Sequence, residues 1–236
     1  MDSLPSNTIQ PALYLVSTPI GNKEDITIRS LKLLQQVHYI ACEDTRTTGQ
    51  LLKMYGIADK HFIPCPDHQQ AEKSSYIRSL IQNRNPVIYV SDAGSPCISD
   101  PGSWLVTSMI QNNIEVIALP GATAFVPAVQ ISGFDTTHFY FYGFLPKKGR
   151  TSILHSLLQR TETIVLYEST HRILALLEEL CTIDANRKVC LCRELTKKFE
   201  ETIRGSASAC LEQLQKDTQS IKGEFVVVLE GKNDKE

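Results

Sequence analysis

The sequence predicts an α/β protein of two lobes, with a mostly parallel sheet in the N-terminal lobe and a mixed sheet in the C-terminal lobe. Short apolar runs of strand length alternate with segments whose apolar residues recur at helical spacing. Turns rich in Gly and Pro separate them, and Pro120-Gly121 interrupts the alternation near the middle of the 236 residues.

The N-terminal half shows the regular alternation that is typical of a parallel sheet with crossover helices. Residues 1–11, rich in Pro, Ser and Asn, are expected to form a flexible arm. Asp25 is expected to cap the first helix, on which Ile28, Leu31 and Leu34 share one face. The predicted strands are 13–16, 37–41, 62–63, 87–90 and 116–119. The later predicted helices are 46–55, 70–83 and 104–110.

In the C-terminal half neighbouring strands can pair antiparallel as well as parallel, so this sheet is expected to be mixed. The predicted strands are 138–144, 163–167, 188–192, 201–204 and 225–229. The predicted helices are 122–131, 151–160, 171–180 and 207–216. We therefore place an N-terminal domain at 12–119 and a C-terminal domain at 120–236.

Composition excludes several classes of protein. The apolar fraction of 42% and the charged fraction of 21% are those of a globular chain rather than a disordered one. No apolar run has the length of a membrane span, and the polar N-terminus lacks the pattern of a signal peptide. A net charge of −2 argues against a globally basic nucleic-acid coat protein.

Seven cysteines are present, an odd number, and none forms a C-x-x-C pair. A zinc site needs spacings that this chain does not offer, so no metal is expected. Reduced, mostly buried thiols in a cytoplasmic protein are the simplest interpretation.

Three loops share one design, in which an apolar strand ends and a Gly/Pro turn opens the next segment. Ligands bind at the carboxyl ends of strands in open α/β sheets, and glycine lets the backbone approach a ligand closely. Asp92 could accept hydrogen bonds from hydroxyl or ammonium groups. Ordinary βα turns are the alternative, because Gly, Pro and Asp are common in turns. The loops are Thr18-Pro19-Ile20-Gly21-Asn22, Ser91-Asp92-Ala93-Gly94-Ser95-Pro96 and Leu119-Pro120-Gly121-Ala122-Thr123.

Absent motifs narrow the chemistry further. The first strand is not followed by G-x-G-x-x-G, and the chain has no P-loop, which argues against a nicotinamide dehydrogenase and a P-loop NTPase. G-x-S-x-G and H-E-x-x-H are absent as well.

Polar clusters follow three further predicted strands. Two carboxylates and a guanidinium lie close together in the stretch Glu43-Asp44-Thr45-Arg46, although Asp44 could simply cap a helix. In Arg193-Glu194-Leu195-Thr196-Lys197-Lys198, Glu194 and Lys197 could position or deprotonate a hydroxyl while Lys198 or Arg193 holds a phosphate. A solvated, self-neutralising loop is the alternative there. Ser169, in Tyr167-Glu168-Ser169-Thr170-His171-Arg172, could be a helix cap.

The second half is locally basic. Residues 147–204 carry eleven Lys or Arg against eight Asp or Glu. Lys147, Lys148 and Arg150 could form an RNA-facing loop. The aromatic residues that precede them in the predicted strand 138–144 are expected to be core instead.

Together these segments resemble the bacterial ribosomal RNA small-subunit methyltransferase I family, cytidine 2′-O-methyltransferases of the tetrapyrrole-methylase superfamily. The similarity covers residues 12–231, and the stretches SDAGSPCISDPG and RELTK are its most specific parts. The matching stretches, in order, are 13–22, 42–46, 91–102, 119–121, 143–146, 167–172, 193–197 and 222–224.

The resemblance implies a tetrapyrrole-methylase-like fold and an S-adenosylmethionine-dependent enzyme, with the cofactor in a cleft between two α/β domains. It also implies a homodimer that acts on small-subunit (16S) ribosomal RNA. The missing glycine fingerprint is explained, because this superfamily does not use the Rossmann-type cofactor loop. By similarity, the cofactor-binding residues are Pro19, Asp92, Ala93, Gly94, Pro120, Gly121, Ala122 and Ser169.

Methyl transfer from a sulfonium to a ribose 2′-hydroxyl needs alignment and help with loss of the hydroxyl proton. Glu194 and Lys197 are the first candidates for that role, and Asp44 and Arg46 the second. The candidate RNA-binding residues are Arg46, Lys147, Lys148, Arg150, Arg193 and Lys198.

Two other functions stay open at this point. One is methylation of a tetrapyrrole or another small metabolite on the same fold, and the other is a non-catalytic RNA-binding protein that retains the cleft. Relatives commonly continue past the last strand with a small helical domain, whereas this sequence stops at Glu236. If that domain grips RNA, we expect a smaller RNA surface here or reliance on the dimer.

Overall fold

The computed structural model describes residues 9–216 and 221–232 and confirms the α/β fold class. The chain forms two compact units, Met1–Ala122 and Thr123–Glu236. Each unit contains one five-stranded sheet within the described ranges. Most of the predicted arm, residues 1–8, lies outside the described residues.

The sheet of the first unit is parallel throughout, with the strand order β3-β2-β4-β1-β5. Because all strands run the same way, their carboxyl ends share one edge. The strands are β1 (Leu13–Leu15), β2 (Tyr39–Cys42), β3 (His61–Pro64), β4 (Val87–Val90) and β5 (Val116–Ala118). The helices are α1 (Ile28–Gln36), α2 (Thr45–Met54), α3 (Gln70–Gln82) and α4 (Ser103–Gln111).

Central strands of this sheet are apolar because helices cover both faces. All of β4 is buried, with Ile88 in the core on one face and Tyr89 in the core on the other. Leu34 and Leu52, from α1 and α2, pack into the first core, while α3 and α4 cover the second. Strands buried on both faces form continuous hydrophobic runs, as the sequence of β4 does.

The residue that caps the first helix differs from the prediction. The Thr27 hydroxyl, not the Asp25 carboxylate, caps α1, because the Ser30 N–H donates to Thr27 Oγ1 at 3.1 Å. Asp25 instead ends a short 3₁₀ turn. The cap predicted at Asp44 is present at the start of α2, where Asp44 Oδ1 accepts from the Arg46 N–H at 2.8 Å.

The sheet of the second unit is mixed, as predicted, with the order β6-β7-β10-β8-β9. In the described part of this unit β6 and β7 pair in parallel, and the other pairs are antiparallel. The strands are β6 (Phe139–Phe144), β7 (Thr163–Ser169), β8 (Lys188–Arg193), β9 (Glu201–Ser206) and β10 (Glu224–Leu229). The helices are α5 (Phe125–Ser132), α6 (Arg150–Leu157), α7 (Ile173–Asp184) and α8 (Ala207–Lys216).

Two expectations for this unit were wrong in detail. The helix predicted from 122 begins only at Phe125, so 120–124 remain in the loop; its end at Gly133, with φ 83°, is as predicted. The aromatic strand β6 is core only in part: it is an edge strand of the sheet and leaves Phe139, Tyr140 and Phe144 exposed, while Tyr142 packs against the core.

No helix in the ranges 9–216 and 221–232 is long and apolar enough to cross a membrane.

Replacing Ile40 with Ala tests the core of the first unit. Ile40 is 0% exposed at the centre of β2, so Ile40→Ala should lower the free energy of unfolding by about 2–5 kcal/mol. Ile28, 73% exposed in α1, is the matched control, and Ile28→Ala should change it by less than about 0.5 kcal/mol. Urea unfolding followed by the fluorescence of Trp104 in α4 measures both. Equal losses would contradict the assigned core.

Candidate functional site

Two of the predicted loops are joined at the carboxyl edge of the parallel sheet. β1 lies beside β4, so the loops that follow these strands start next to each other. The Thr18 N–H donates to the Gly94 carbonyl at 2.9 Å, and the Gly94 N–H donates to the Thr18 carbonyl at 3.0 Å. This pair of bonds fixes the segment containing Pro19 against the one containing Ala93 and Gly94.

Two serines connect the third loop to this edge. Ser95 Oγ lies 2.9 Å from Ser17 Oγ and donates to the Ala122 carbonyl, also at 2.9 Å. A Cβ on Gly121 would lie 2.5 Å from Ser17 Cβ, which is closer than any real contact. Glycine is therefore required at 121, and the loop carrying Pro120, Gly121 and Ala122 packs directly on the loop after β1.

Backbone donors are available on this surface. Gly121 is exposed, and within the described residues neither its N–H nor that of Ala122 donates to another protein atom. Unpaired N–H groups on an exposed glycine loop are suited to a polar ligand that approaches the backbone closely. An adenosine or amino-acid group has the acceptors for such donors, so this loop fits S-adenosylmethionine chemically.

Carboxylates lie at the same edge, because Glu43 and Asp44 follow β2, which is the other neighbour of β4 in the sheet. Asp92 Oδ1 accepts from the Asp44 N–H at 3.2 Å. Burial, followed by the charge of Asp44, raises the pKa of Asp92; burial and the charge of Asp92 raise the pKa of Glu43. Such groups are acceptors for ribose hydroxyls or an ammonium group.

Unlike Glu43 and Asp92, Asp44 forms an ion pair with an arginine, Arg46. The Arg46 guanidinium donates to both carboxylate oxygens, at 3.2 Å and 2.8 Å. These hydrogen bonds, together with the one from the Arg46 N–H, lower the pKa of Asp44 to about 2. The Arg46 side chain is still 85% exposed, so its outer face is open to solvent. No cluster of three metal-binding side chains occurs in the described part of the chain.

A second edge, in the second unit, brings Glu194 and Lys197 together. Lys197 Nζ lies 2.8 Å from Glu194 Oε1 and 2.8 Å from Glu224 Oε2. Glu194 Oε1 also accepts from the Glu224 N–H at 3.0 Å, and the Glu194 N–H donates to the Glu224 carbonyl at the same distance. The sequence reasoning missed Glu224 as a site residue, although it lies in the 222–224 stretch that carried part of the resemblance.

The charges of this cluster support one another. Burial alone would raise the pKa of Glu194, but the hydrogen bonds from Lys197 and the Glu224 backbone outweigh it and lower the pKa. Burial likewise opposes the charge of Lys197, yet its bonds to Glu194 and Glu224 raise its pKa. Both groups are therefore charged at neutral pH, and Glu194 is a weak base.

Ser169 is the last residue of β7 and does not cap α7. Its N–H donates to Glu168 Oε1 at 2.8 Å, and α7 begins only at Ile173, after an Arg172 cap residue without a side-chain hydrogen bond to the helix. Ser169 pairs with Glu224 across the sheet, so it lies at the same edge as Glu194 and Lys197.

The predicted RNA-binding residues of the second unit fall into two groups. Arg150 donates to both oxygens of Glu179, at 3.0 Å and 2.5 Å, and Arg193 lies 2.9 Å from Glu201, so carboxylates already engage both guanidinium groups. The other residues predicted in this unit are exposed, namely Lys147, Lys148 and Lys198. An open cavity of about 450 Å³ lies beside Lys147 and is also lined by Gly149, Arg150, Thr151, Arg172 and Glu179.

Residues 12–210 match the family model of the tetrapyrrole (corrin/porphyrin) methylases. The chain belongs to this family. Among curated relatives, Ribosomal RNA small subunit methyltransferase I of Pasteurella multocida (strain Pm70) is 42% identical over 96% of this chain and 81% of its own length. The protein of the same name from Hydrogenobaculum sp. (strain Y04AAS1) is 45% identical over 94% of this chain and 96% of its own.

Solved structures show the same fold at low sequence identity. Uroporphyrin-III C-methyltransferase from Thermus thermophilus, complexed with S-adenosyl homocysteine, matches with a TM-score of 0.62 and 17% identity. The match covers 93% of this chain and 97% of that one. At this identity the likeness establishes the tetrapyrrole-methylase fold.

Replacing Gly223 with Ala tests the packing around Lys197. Gly223 has φ 100°, and a Cβ there would lie only 2.5 Å from Glu194 Cδ. Gly133, with φ 83°, has open space where a Cβ would lie and is the matched control in the same unit. Gly133→Ala should lose about 1–2 kcal/mol of stability from backbone strain alone. Gly223→Ala should lose about 1–3 kcal/mol more, because Glu194 must move.

Differential scanning calorimetry of the two variants and the parent protein measures this difference. Equal losses for Gly223→Ala and Gly133→Ala would show that Glu194 is not held against Gly223.

Proposed function

We propose that this chain transfers a methyl group from S-adenosylmethionine to the 2′-hydroxyl of a cytidine ribose in small-subunit ribosomal RNA. The observation that carries the proposal is the 42–45% identity, over nearly the whole chain, to proteins named Ribosomal RNA small subunit methyltransferase I. Those names support methylation of ribosomal RNA. The cytidine ribose is the finer part of the proposal and rests on the resemblance of the SDAGSPCISDPG and RELTK stretches.

The edge of the first unit is the proposed cofactor site. The N–H groups of Gly121 and Ala122 would donate to the cofactor, and Asp92 would accept from its hydroxyl or ammonium groups. Pro19, Ala93, Gly94 and Pro120 are proposed to shape this surface. Ser169 is a further proposed cofactor contact, on the resemblance alone. When bound, S-adenosylmethionine supplies an activated methyl group on a positively charged sulfur.

The edge of the second unit is proposed to act on the ribose. A ribose hydroxyl develops negative charge as it loses its proton, and a fixed ammonium group stabilises that charge. Lys197 is held by two carboxylates and is suited to this role. Glu194 is the proposed proton acceptor, but its lowered pKa makes it a weak base, so its larger contribution is to hold Lys197 in place.

Phosphate binding is assigned to the exposed cations first. Arg46, Lys147, Lys148 and Lys198 are open to solvent and can neutralise RNA phosphates. Arg150 and Arg193 are also proposed RNA contacts. Each would have to bind a phosphate while it remains paired with a carboxylate, Glu179 or Glu201 respectively. The working state is proposed to be a homodimer in the cytoplasm.

A Lys197→Ala variant tests the catalytic assignment. Without the ammonium group, kcat for methyl transfer to small ribosomal subunits that lack the modification should fall by about 10²-fold or more. The affinity for S-adenosylmethionine should be unchanged. Lys216, an exposed lysine on α8 that pairs with Glu212 at 3.7 Å, is the control, and Lys216→Ala should have parental activity.

Transfer of labelled methyl groups, followed by mass spectrometry of RNA digests, gives both the rate and the modified nucleoside. A product other than 2′-O-methylcytidine would contradict the proposed target. Full activity of Lys197→Ala would remove Lys197 from the mechanism.

A Gly121→Ala variant tests the cofactor site. The new Cβ would overlap Ser17 and displace the loop that carries the N–H donors. The affinity for S-adenosylmethionine, measured by calorimetry, should weaken by roughly tenfold or more, which corresponds to about 1.4 kcal/mol of binding free energy. Gly133→Ala, outside the proposed site, should bind as the parent protein does. Unchanged affinity of Gly121→Ala would place the cofactor elsewhere.

A further inference from the structure

Two consecutive tight turns follow β8 and present Phe199 to solvent. The Lys197 N–H donates to the Glu194 carbonyl at 2.9 Å, and the Glu200 N–H donates to the Lys197 carbonyl at 3.1 Å. Phe199 is therefore the third residue of the second turn. Leu195 is buried and anchors the first turn to the core.

The first turn is strained. Glu194 has φ 50° and Thr196 has φ 67°, in the left-handed region that β-branched residues rarely occupy. Such a conformation is unfavourable and persists only where the surroundings hold it. Here the Lys197 ion pairs hold the turn, together with a hydrogen bond of 2.5 Å from the Thr196 N–H to Glu200 Oε2. Strain of this kind is concentrated at ligand-binding and catalytic sites.

Phe199 contributes little to folding from this position. Its side chain is 66% exposed, and its sequence neighbours are the charged residues Lys198 and Glu200. The Lys198 ammonium lies 5.5 Å from the centre of the Phe199 ring. A single aromatic ring among charged groups does not form the contiguous apolar patch of a protein–protein interface. It does offer a flat face and a cation, which match a nucleobase and its phosphate.

We propose that Phe199 is a stacking platform for an unpaired base of the RNA substrate, with Lys198 contacting a neighbouring phosphate. The inference rests on the proposed function and extends it to the way the RNA is held. Proteins recognise single-stranded RNA by stacking splayed bases on aromatic side chains. Phe199 lies two residues after Lys197, the residue assigned to the ribose, in the turn that directly follows the strained, ion-paired one.

Phe199→Leu removes the ring but keeps an apolar side chain. Base stacking on an aromatic residue is worth about 1–3 kcal/mol, so the KM for RNA should rise roughly 5- to 150-fold. The kcat, the melting temperature and the affinity for S-adenosylmethionine should not change. Phe199→Tyr should restore the parental KM. Tyr76→Leu, at a 43% exposed aromatic on α3, is the control and should leave the KM unchanged.

A fluorescent variant tests the stacking contact directly. Trp104 is the only tryptophan in the chain, so Phe199→Trp combined with Trp104→Phe places a single reporter in the turn. Single-stranded RNA from the methylated region should quench this fluorescence with the same midpoint as binding. The same RNA backbone without bases should not quench it.

The outcomes separate the inference from the proposed function. Parental RNA affinity and KM in Phe199→Leu, with an active parent protein, would overturn the stacking role and leave methylation standing. If the parent protein binds RNA but does not methylate it, the proposed function falls, and RNA affinity and quenching still decide the role of Phe199. A parent protein that does not bind RNA overturns both.

Discussion

Burial of the central strands on both faces determines where this protein can place polar chemistry. β4 and β10 are covered by side chains above and below, so their middle positions admit only apolar residues. A polar group there would lack water and partners. Carboxylates, amines and hydroxyls are consequently concentrated where strands end, and both candidate edges consist of such ends. The site residues thus occupy positions that the core leaves open.

Close backbone contacts convert these strand ends into defined surfaces. At the first edge, Gly121 packs on Ser17 at a distance that no Cβ tolerates, and Thr18 pairs with Gly94. At the second edge, Gly223 leaves room for the Glu194 side chain in the same way. A glycine in each case removes a side chain so that a neighbouring loop can lie against the backbone. These loops are held by specific contacts rather than by length alone.

The sequence predicted well what depends on local pattern and poorly what depends on partners distant in the chain. The apolar run at 87–90 and the Asp44 cap could be found because neighbouring residues determine them. The Thr27 cap was missed by a small shift in the helix start. The pairing of Arg150 with Glu179 and of Lys197 with Glu224 joins residues far apart in sequence. No periodicity in the sequence encodes such pairs. The exposed residues of β6 were missed for a similar reason, because the order of the strands in the sheet makes β6 an edge strand and cannot be read from a local pattern.

Charge is divided differently between the two edges, and this difference supports separate roles for them. The first edge has carboxylates whose pKa values are raised by burial and mutual repulsion, so it attracts hydrogen-bond donors and cations. In the second, Glu194 and Glu224 surround a lysine whose charge they stabilise. A lysine bound to two carboxylates is a poor general phosphate ligand, because both must be displaced or shared. The same restraint fixes its position, which favours a local role at one oxygen atom and distinguishes Lys197 from the exposed Lys198.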